Sequence, residues 1–150
     1  MAIAIPRHRF SVDEYHRMAE SGILAPTQRV ELIEGEIVDM TPIGRRHVAC
    51  VARLSHVFIR GVGDRAVVLV QSPLRLVDHS EPEPDLVVLR PRADFYAGKD
   101  AGPQDVLLVI EVADISEHYD RHVKVPLDAR HGIPEVWLVD LTAGSLTIYC

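Results

Sequence analysis

Cysteine is scarce in this chain of 150 residues: there are two, Cys50 and Cys150. Two such distant thiols form no disulfide framework, and they fit a reducing, cytoplasmic setting. Long hydrophobic stretches are lacking as well. A run such as Val106 to Ile110 falls far below the roughly 20 apolar residues that span a bilayer, so no membrane partner is expected. The opening Met-Ala-Ile-Ala-Ile-Pro-Arg-His has no basic stretch followed by the apolar segment of about 7–15 residues that marks a secretory signal. Positive charge is in short supply too. Sixteen Lys and Arg stand against 22 Asp and Glu, a formal net charge of -6. That balance excludes a general nucleic-acid coat, which leans on clustered basic side chains. An enzyme touching DNA locally is not excluded, because a bound metal adds positive charge where acids gather. No Gly-x-Gly-x-x-Gly fingerprint, phosphate loop or nucleophile elbow occurs. The eight histidines spread from His8 to His131 without forming a tract.

What is present suits an ordinary globular protein, with 47% apolar and 25% charged residues. The length predicts one domain over residues 1–150 with room for a sizeable core. Phe10 to Ser21 reads as a helix, with Ser11 as N-cap and Glu14 completing a capping box. Arg29 to Met40 reads as a hairpin turning at Glu34-Gly35, with Ile33 opposite Glu36 and Glu31 opposite Val38. A second helix is expected from about His47 to Arg60, ended by Gly61, with His47, Val51, Leu54 and Phe58 on its core stripe. Ala66 to Val77 predicts one long strand, or two joined by a bend at Pro73. A polar, proline-rich loop over Asp78 to Pro84 precedes a strand at Asp85 to Leu89. Pro91 to Pro103 is a loop, and Val106 to Ala113 is a buried strand. Ser116 to His131 predicts a helix closed by Gly132 and bent at Pro126. Strands at Glu135 to Asp140 and from Leu146 complete an α/β layer of helices around a mixed sheet.

Two carboxylates fall where buried strands should carry none. Asp85 opens one apolar run and Glu111 interrupts another, where Leu107, Val109 and Ala113 share its face. A buried, unpaired ion costs on the order of several kcal/mol, so a shared cation is the natural explanation. Hard cations such as Mg²⁺ take one or two carboxylates together with water and phosphate oxygens. Blander accounts stand beside this one: Asp85 as a turn cap after Pro84, and Glu111 paired with a buried arginine. Lys124 follows in the next helix. It points at the acids, or it forms an exposed ladder of ion pairs with Asp120 and Asp128, four residues to either side. Glu31 and His47 both fall on apolar faces, as core polar groups or as walls of the same cleft. His118 and His122 have the i,i+4 spacing that can hold zinc, but without further ligands they read as a solvated face.

The segments Arg29-Val-Glu-Leu-Ile-Glu-Gly-Glu-Ile-Val, Glu83-Pro-Asp-Leu-Val-Val-Leu, Val109-Ile-Glu-Val-Ala-Asp, Tyr119-Asp-Arg-His-Val-Lys-Val-Pro-Leu and Gly132-Ile-Pro-Glu-Val-Trp-Leu-Val-Asp occur in one order. Together they closely resemble the Uma family of bacterial restriction-endonuclease-like proteins, a branch of the PD-(D/E)xK nuclease superfamily, over roughly residues 10 to 149. The resemblance implies an αβββαβ core with an N-terminal helix and β-hairpin. It implies Asp85 and Glu111 as metal-binding acids for Mg²⁺ or Mn²⁺, with Lys124, Glu31 and His47 completing the catalytic set. The superfamily's usual lysine position, two after the second acid, is Ala113 here, and Lys124 on the following helix takes its place. Tyr119 and Asp120 match a Tyr-Asp-Arg signature with a supporting role. Asp128 stands where an aromatic is usual, and Ile115 and Glu117 replace small and apolar residues.

The expected activity is therefore endonucleolytic hydrolysis of DNA by a carboxylate-bound metal and a lysine, with a homodimer implied by analogy. The rival expectation is a nuclease-like scaffold without catalysis that serves as a binding or assembly module. It is motivated by the acidic balance, by Ala113 and by an end at Cys150 that reads as a shortened C-terminus, leaving a sheet edge bare for pairing. A small-molecule metal hydrolase is a weaker third.

Overall fold

A computed structural model describes residues 3–150. Ser11 caps helix α1, Val12–Glu20, through the expected box: its hydroxyl accepts from the Glu14 N–H and the Glu14 carboxylate accepts from the Ser11 N–H. Strands β1, Val30–Ile33, and β2, Glu36–Asp39, form a hairpin whose register pairs Ile33 with Glu36 and Glu31 with Val38. Both turn residues, Glu34 and Gly35, have positive φ, as a hairpin turn matched to strand twist requires. Helix α2 runs Arg45–Val62, further than expected. Gly61 stays inside it, and Gly63, at φ 52, ends it instead.

A five-stranded sheet follows, ordered β3-β4-β5-β6-β7. Its strands are β3, Val67–Val70; β4, Leu86–Leu89; β5, Val106–Ala113; β6, Val136–Asp140; and β7, Ser145–Tyr149. Only the β5–β6 pair is parallel, and the segment between them supplies the crossover. The long strand expected over Ala66 to Val77 stops at Val70. Gln71 has φ 49, Pro73 has no N–H to donate, and residues 71–77 retain a single bridge, Leu76 to Ser80.

The helix expected over Ser116 to His131 is broken into α3, Glu117–Tyr119, a π-helical turn, Asp120–Lys124, and α4, Val125–Arg130. Pro126 accounts for the break. It offers no N–H, and its ring would meet the carbonyl four residues back in a regular helix. The wider turn, with the Val125 N–H bonded to the Asp120 carbonyl, relieves that clash.

Strand alternation divides the core into two layers. Leu86, Val88, Leu108, Ile110 and Val112 face α2, where Val51, Leu54 and Phe58 meet them. Val87, Leu89 and Val109 face the opposite way, toward Val125 and Leu127 of α4 and Ile33 of the hairpin. The Asp78–Pro84 segment is no solvated loop. Ser80, Glu81, Pro82 and Pro84 are buried. Glu81 forms a bridge with Leu32, the Ser80 hydroxyl accepts from the Glu34 N–H at 2.8 Å, and the Leu74 N–H reaches the Pro82 carbonyl at 2.9 Å. This segment stitches the hairpin to the sheet.

Gly35 is the tightest point of that seam. A Cβ there would lie 2.5 Å from the Arg9 Cβ and 2.7 Å from its Cα, at a φ of +83. Gly35→Ala combines backbone strain with that clash, and urea unfolding should show a loss of about 2 kcal/mol or more.

Candidate active site

Asp85 immediately precedes β4 and Glu111 lies in β5. The antiparallel register pairs Leu86 with Ile110, so one step further sets Asp85 opposite Glu111. Both are odd-numbered neighbours of Val87 and Val109, so they lie on the face away from α2. That face is covered by the hairpin and the broken helix, which deliver Glu31 and Lys124. His47 arrives from the first turn of α2. All five residues singled out from the sequence line one cleft of about 50 Å³, together with Arg29, Glu83 and Tyr119. The room is enough for a few waters.

Each side chain is held. The Asp85 carboxylate accepts from the Val112 N–H at 2.7 Å and lies 3.0 Å from the His47 Nε2. Glu31 accepts from the Tyr119 hydroxyl at 2.9 Å and from the Glu83 N–H at 2.9 Å. The Lys124 ammonium stands 3.2 Å from Glu31 and 2.9 Å from Glu111. The contact with Glu111 is an ion pair whose Oε1 receives no aligned hydrogen bond. These pairings decide two of the blander alternatives. Glu111 is matched by a lysine rather than an arginine, and the exposed ladder on Lys124 is absent. Asp120, Lys124 and Asp128 are all buried, at 5%, 3% and 2% exposure.

The charge balance is lopsided. Desolvation pushes Glu111 well above the usual carboxylate range; Lys124 pulls it down, while Asp120, Asp85 and Glu31 add to the rise. Burial works against a charged Lys124, but Glu111, Glu31 and Asp120 outweigh it and keep the amine protonated. Asp120, bonded by the Ser116 hydroxyl at 2.7 Å, is raised by burial to about 6. His47 is shifted upward by its hydrogen bond to Asp85. Its other ring nitrogen, Nδ1, is buried without a partner among the described residues.

Sequence reasoning passed over Arg29 and Glu83, and gave Asp128 no part in a buried acid cluster. Asp128 carried a local signal, lying one helical turn beyond Lys124, but helical spacing does not say that it is buried, at 2% exposure. His118 and His122 are exposed, their rings tilted against each other at 4.4 Å between centroids. Among the described residues, no three His, Cys, Asp or Glu side chains are placed together to hold a metal ion.

Residues 12–150 match the family model "Uma2: Putative restriction endonuclease". Among curated proteins none matches. A crystal structure from Anabaena variabilis, described as "a putative nuclease belonging to DUF820", is similar with a TM-score of 0.73 at 19% identity. The match covers 93% of this chain and 79% of that one. At such low identity it is the fold that the two share.

Asp128 yields a stability test. Burial raises its carboxyl from an ordinary 3.8 to about 7, and its Oδ2 has no partner among the described residues. Between those two values the folded state keeps a proton that the unfolded state has released. Stability therefore falls as pH rises from about 4 to 7, and the loss is complete above it. Asp128→Asn removes the titration. Thermal unfolding should show the variant gaining several degrees over the parent, roughly, at pH 8, and much less at pH 5.

Proposed function

The chain belongs to the Uma2 family of restriction-endonuclease-like proteins, and on that premise we propose that it is a divalent-metal-dependent nuclease hydrolysing phosphodiester bonds in DNA. The observation that carries the reading is one convergence. Two carboxylates on neighbouring strands and the ammonium of the following helix meet on one face of the sheet, inside a single cleft.

The residues fit Mg²⁺ or Mn²⁺. The donors are oxygens, as a hard cation prefers. Asp85, Glu111, Glu31 and Asp120 outnumber the single lysine among them, and the Glu111 Oε1 lacks an aligned donor. Asp85 and Glu111 would hold the ion, two carboxylates being what Mg²⁺ takes beside water and phosphate oxygens, with Glu31 a further acid of the cleft wall rather than a third ligand. When bound, such an ion polarises a phosphoryl group and lowers the pKa of water.

The chain's own groups do the rest. The Val112 N–H and the His47 ring fix the Asp85 carboxylate in one orientation. Tyr119 and the Glu83 N–H do the same for Glu31. Lys124, kept charged by its acidic neighbours, serves as a donor rather than a base. It steadies the attacking water and the charge that grows on the phosphate. His47 offers Nδ1 to a phosphate oxygen or a water. Lys124 supplies the cation that Ala113 cannot, which favours an active site over a silent scaffold.

Residues 1–150 act in this reading as one nuclease-like domain, working in the cytoplasm and cutting as a pair of copies. Among the described residues no helix is long and apolar enough to cross a membrane.

Supercoiled plasmid with Mn²⁺ is the direct test. The protein should nick it, EDTA should stop the reaction, and Asp85→Asn, Glu111→Gln and Lys124→Met should each slow it by about 100-fold or more. Nicking that persists in EDTA or in the acid variants ends the proposal. No nicking together with no Mn²⁺ affinity by calorimetry would favour the binding-module alternative.

A further inference from the structure

Beside the acid cleft lies a second cavity of about 340 Å³, lined by Pro42, Ile43, His47, Asp114, Ile115 and Ser116 among others. Thr41, Ile43, His47 and Ser116 belong to both, so the two spaces are neighbours with a shared wall. The small cleft is polar and charged. The larger cavity has a mixed wall, Pro42, Ile43 and Ile115 beside Thr41, His47, Asp114 and Ser116, and its two isoleucines are turned out of the core. Ile115 is 80% exposed and Ile43 41% exposed, although both are large apolar side chains with no burial to gain where they stand. Val48, one residue beyond His47 on α2, is exposed as well.

Two arginines lie beside these spaces, Arg29 at the acid cleft and Arg46 against Asp114 of the second cavity. Arg29 borders the acid cleft and donates to the Thr41 carbonyl at 3.3 Å. Arg45 and Arg46 open α2, an 18-residue helix with no acid in its first turn and no side-chain cap at Gly44. Arg46 is steadied by Asp114, 3.7 Å away, and by the Leu141 carbonyl. Arg29, Arg46 and an uncapped helix start are suited to phosphate groups. On a chain of net charge -6 they make a local patch rather than the extended basic surface a long duplex footprint calls for.

We infer that the Ile43–Ile115 cavity receives one unstacked nucleobase beside the phosphate being cut, so that the enzyme acts on DNA with unpaired nucleotides in preference to perfect duplex. The inference rests on the nuclease reading of the adjoining acid cleft. The volume lies at the lower end of small-ligand sites, suited to a nucleoside-sized occupant. Aliphatic side chains presented at a rim are the kind that wedge between base steps or cover a base face. The sugar-phosphate on either side of that base would then run along the arginines, and its neighbouring phosphate would enter the acid cleft past His47 and Ser116. In perfect duplex the same base is stacked and paired, and unstacking it is costly.

Binding separates this inference from the catalytic one. A short single strand carrying 2-aminopurine, the same strand annealed to its complement, and a duplex with a central unpaired bubble are titrated with the protein in Ca²⁺, reading anisotropy and 2-aminopurine emission. The expected order is single strand and bubble at least about tenfold tighter than duplex, with emission rising as the base leaves its stack. Ile115→Asp and, as a gentler exposed change, Ile115→Ser should bring single-strand affinity down toward the duplex value, as should Ile43→Asp. Thermal unfolding verifies that these surface variants fold. Equal or tighter binding of duplex, or single-strand binding and emission untouched in the variants, overturns the inference. So does a variant that changes only the sedimentation of the protein, which would make the cavity a contact between copies. Plasmid nicking that survives in the acid variants sinks the nuclease reading by its own route, whatever the affinity ratio shows.

Discussion

A single buried ammonium sets the terms for the rest of this molecule. Lys124 is almost wholly removed from water and lies within ion-pair distance of Glu111 and Glu31. Removing one partner from such a cluster leaves an uncompensated charge at a cost of about 3–5 kcal/mol, whereas the intact cluster contributes little net stability. Structures built for stability alone do better with leucine in such places. Glu31, Asp85, Glu111, Asp120 and Asp128 are nevertheless buried with this lysine, and the chemistry proposed for the cleft gives a reason for a cluster that stability alone does not.

The arrangement has three parts. The antiparallel β4–β5 pair aligns Asp85 with Glu111. Pro126 forces the helix after β5 into a π turn, and the residues of that turn are the ones that enter the cluster, Asp120 and Lys124. The hairpin, fastened through the buried Asp78–Pro84 segment, lays Glu31 over both. These elements come from distant parts of the chain, and the cleft exists only where they meet. The second cavity extends the same meeting point outward, from the shared wall of His47 and Ser116 to the aliphatic rim.

Much of this was legible in the residues. The capping box, the Glu34-Gly35 turn, the hairpin register and the whole of β5 follow from local chemistry. The local errors have local causes. Gly61 predicts a stop to α2, yet the positive φ that ends it falls two residues later, at Gly63. The 71–77 stretch has strand composition, but Gln71 turns the chain out of the ladder. The helix after β5 was expected to bend at Pro126, and it widened just before it instead.

Composition and periodicity by themselves determined most of the helices and strands, apart from the 71–77 stretch and the π turn, and which polar residues sit on apolar faces: Asp85, Glu111, Glu31 and His47. A carboxylate among leucines is conspicuous because its desolvation is costly wherever the strand goes. Tertiary structure alone decided what meets each charge. Lys124 with Asp120 and Asp128 reads equally as a solvated ladder or as a buried cluster, because helical spacing is the same in both. Only the packed fold removes the water around them, and water is what distinguishes a weak surface pair from a strongly coupled buried one.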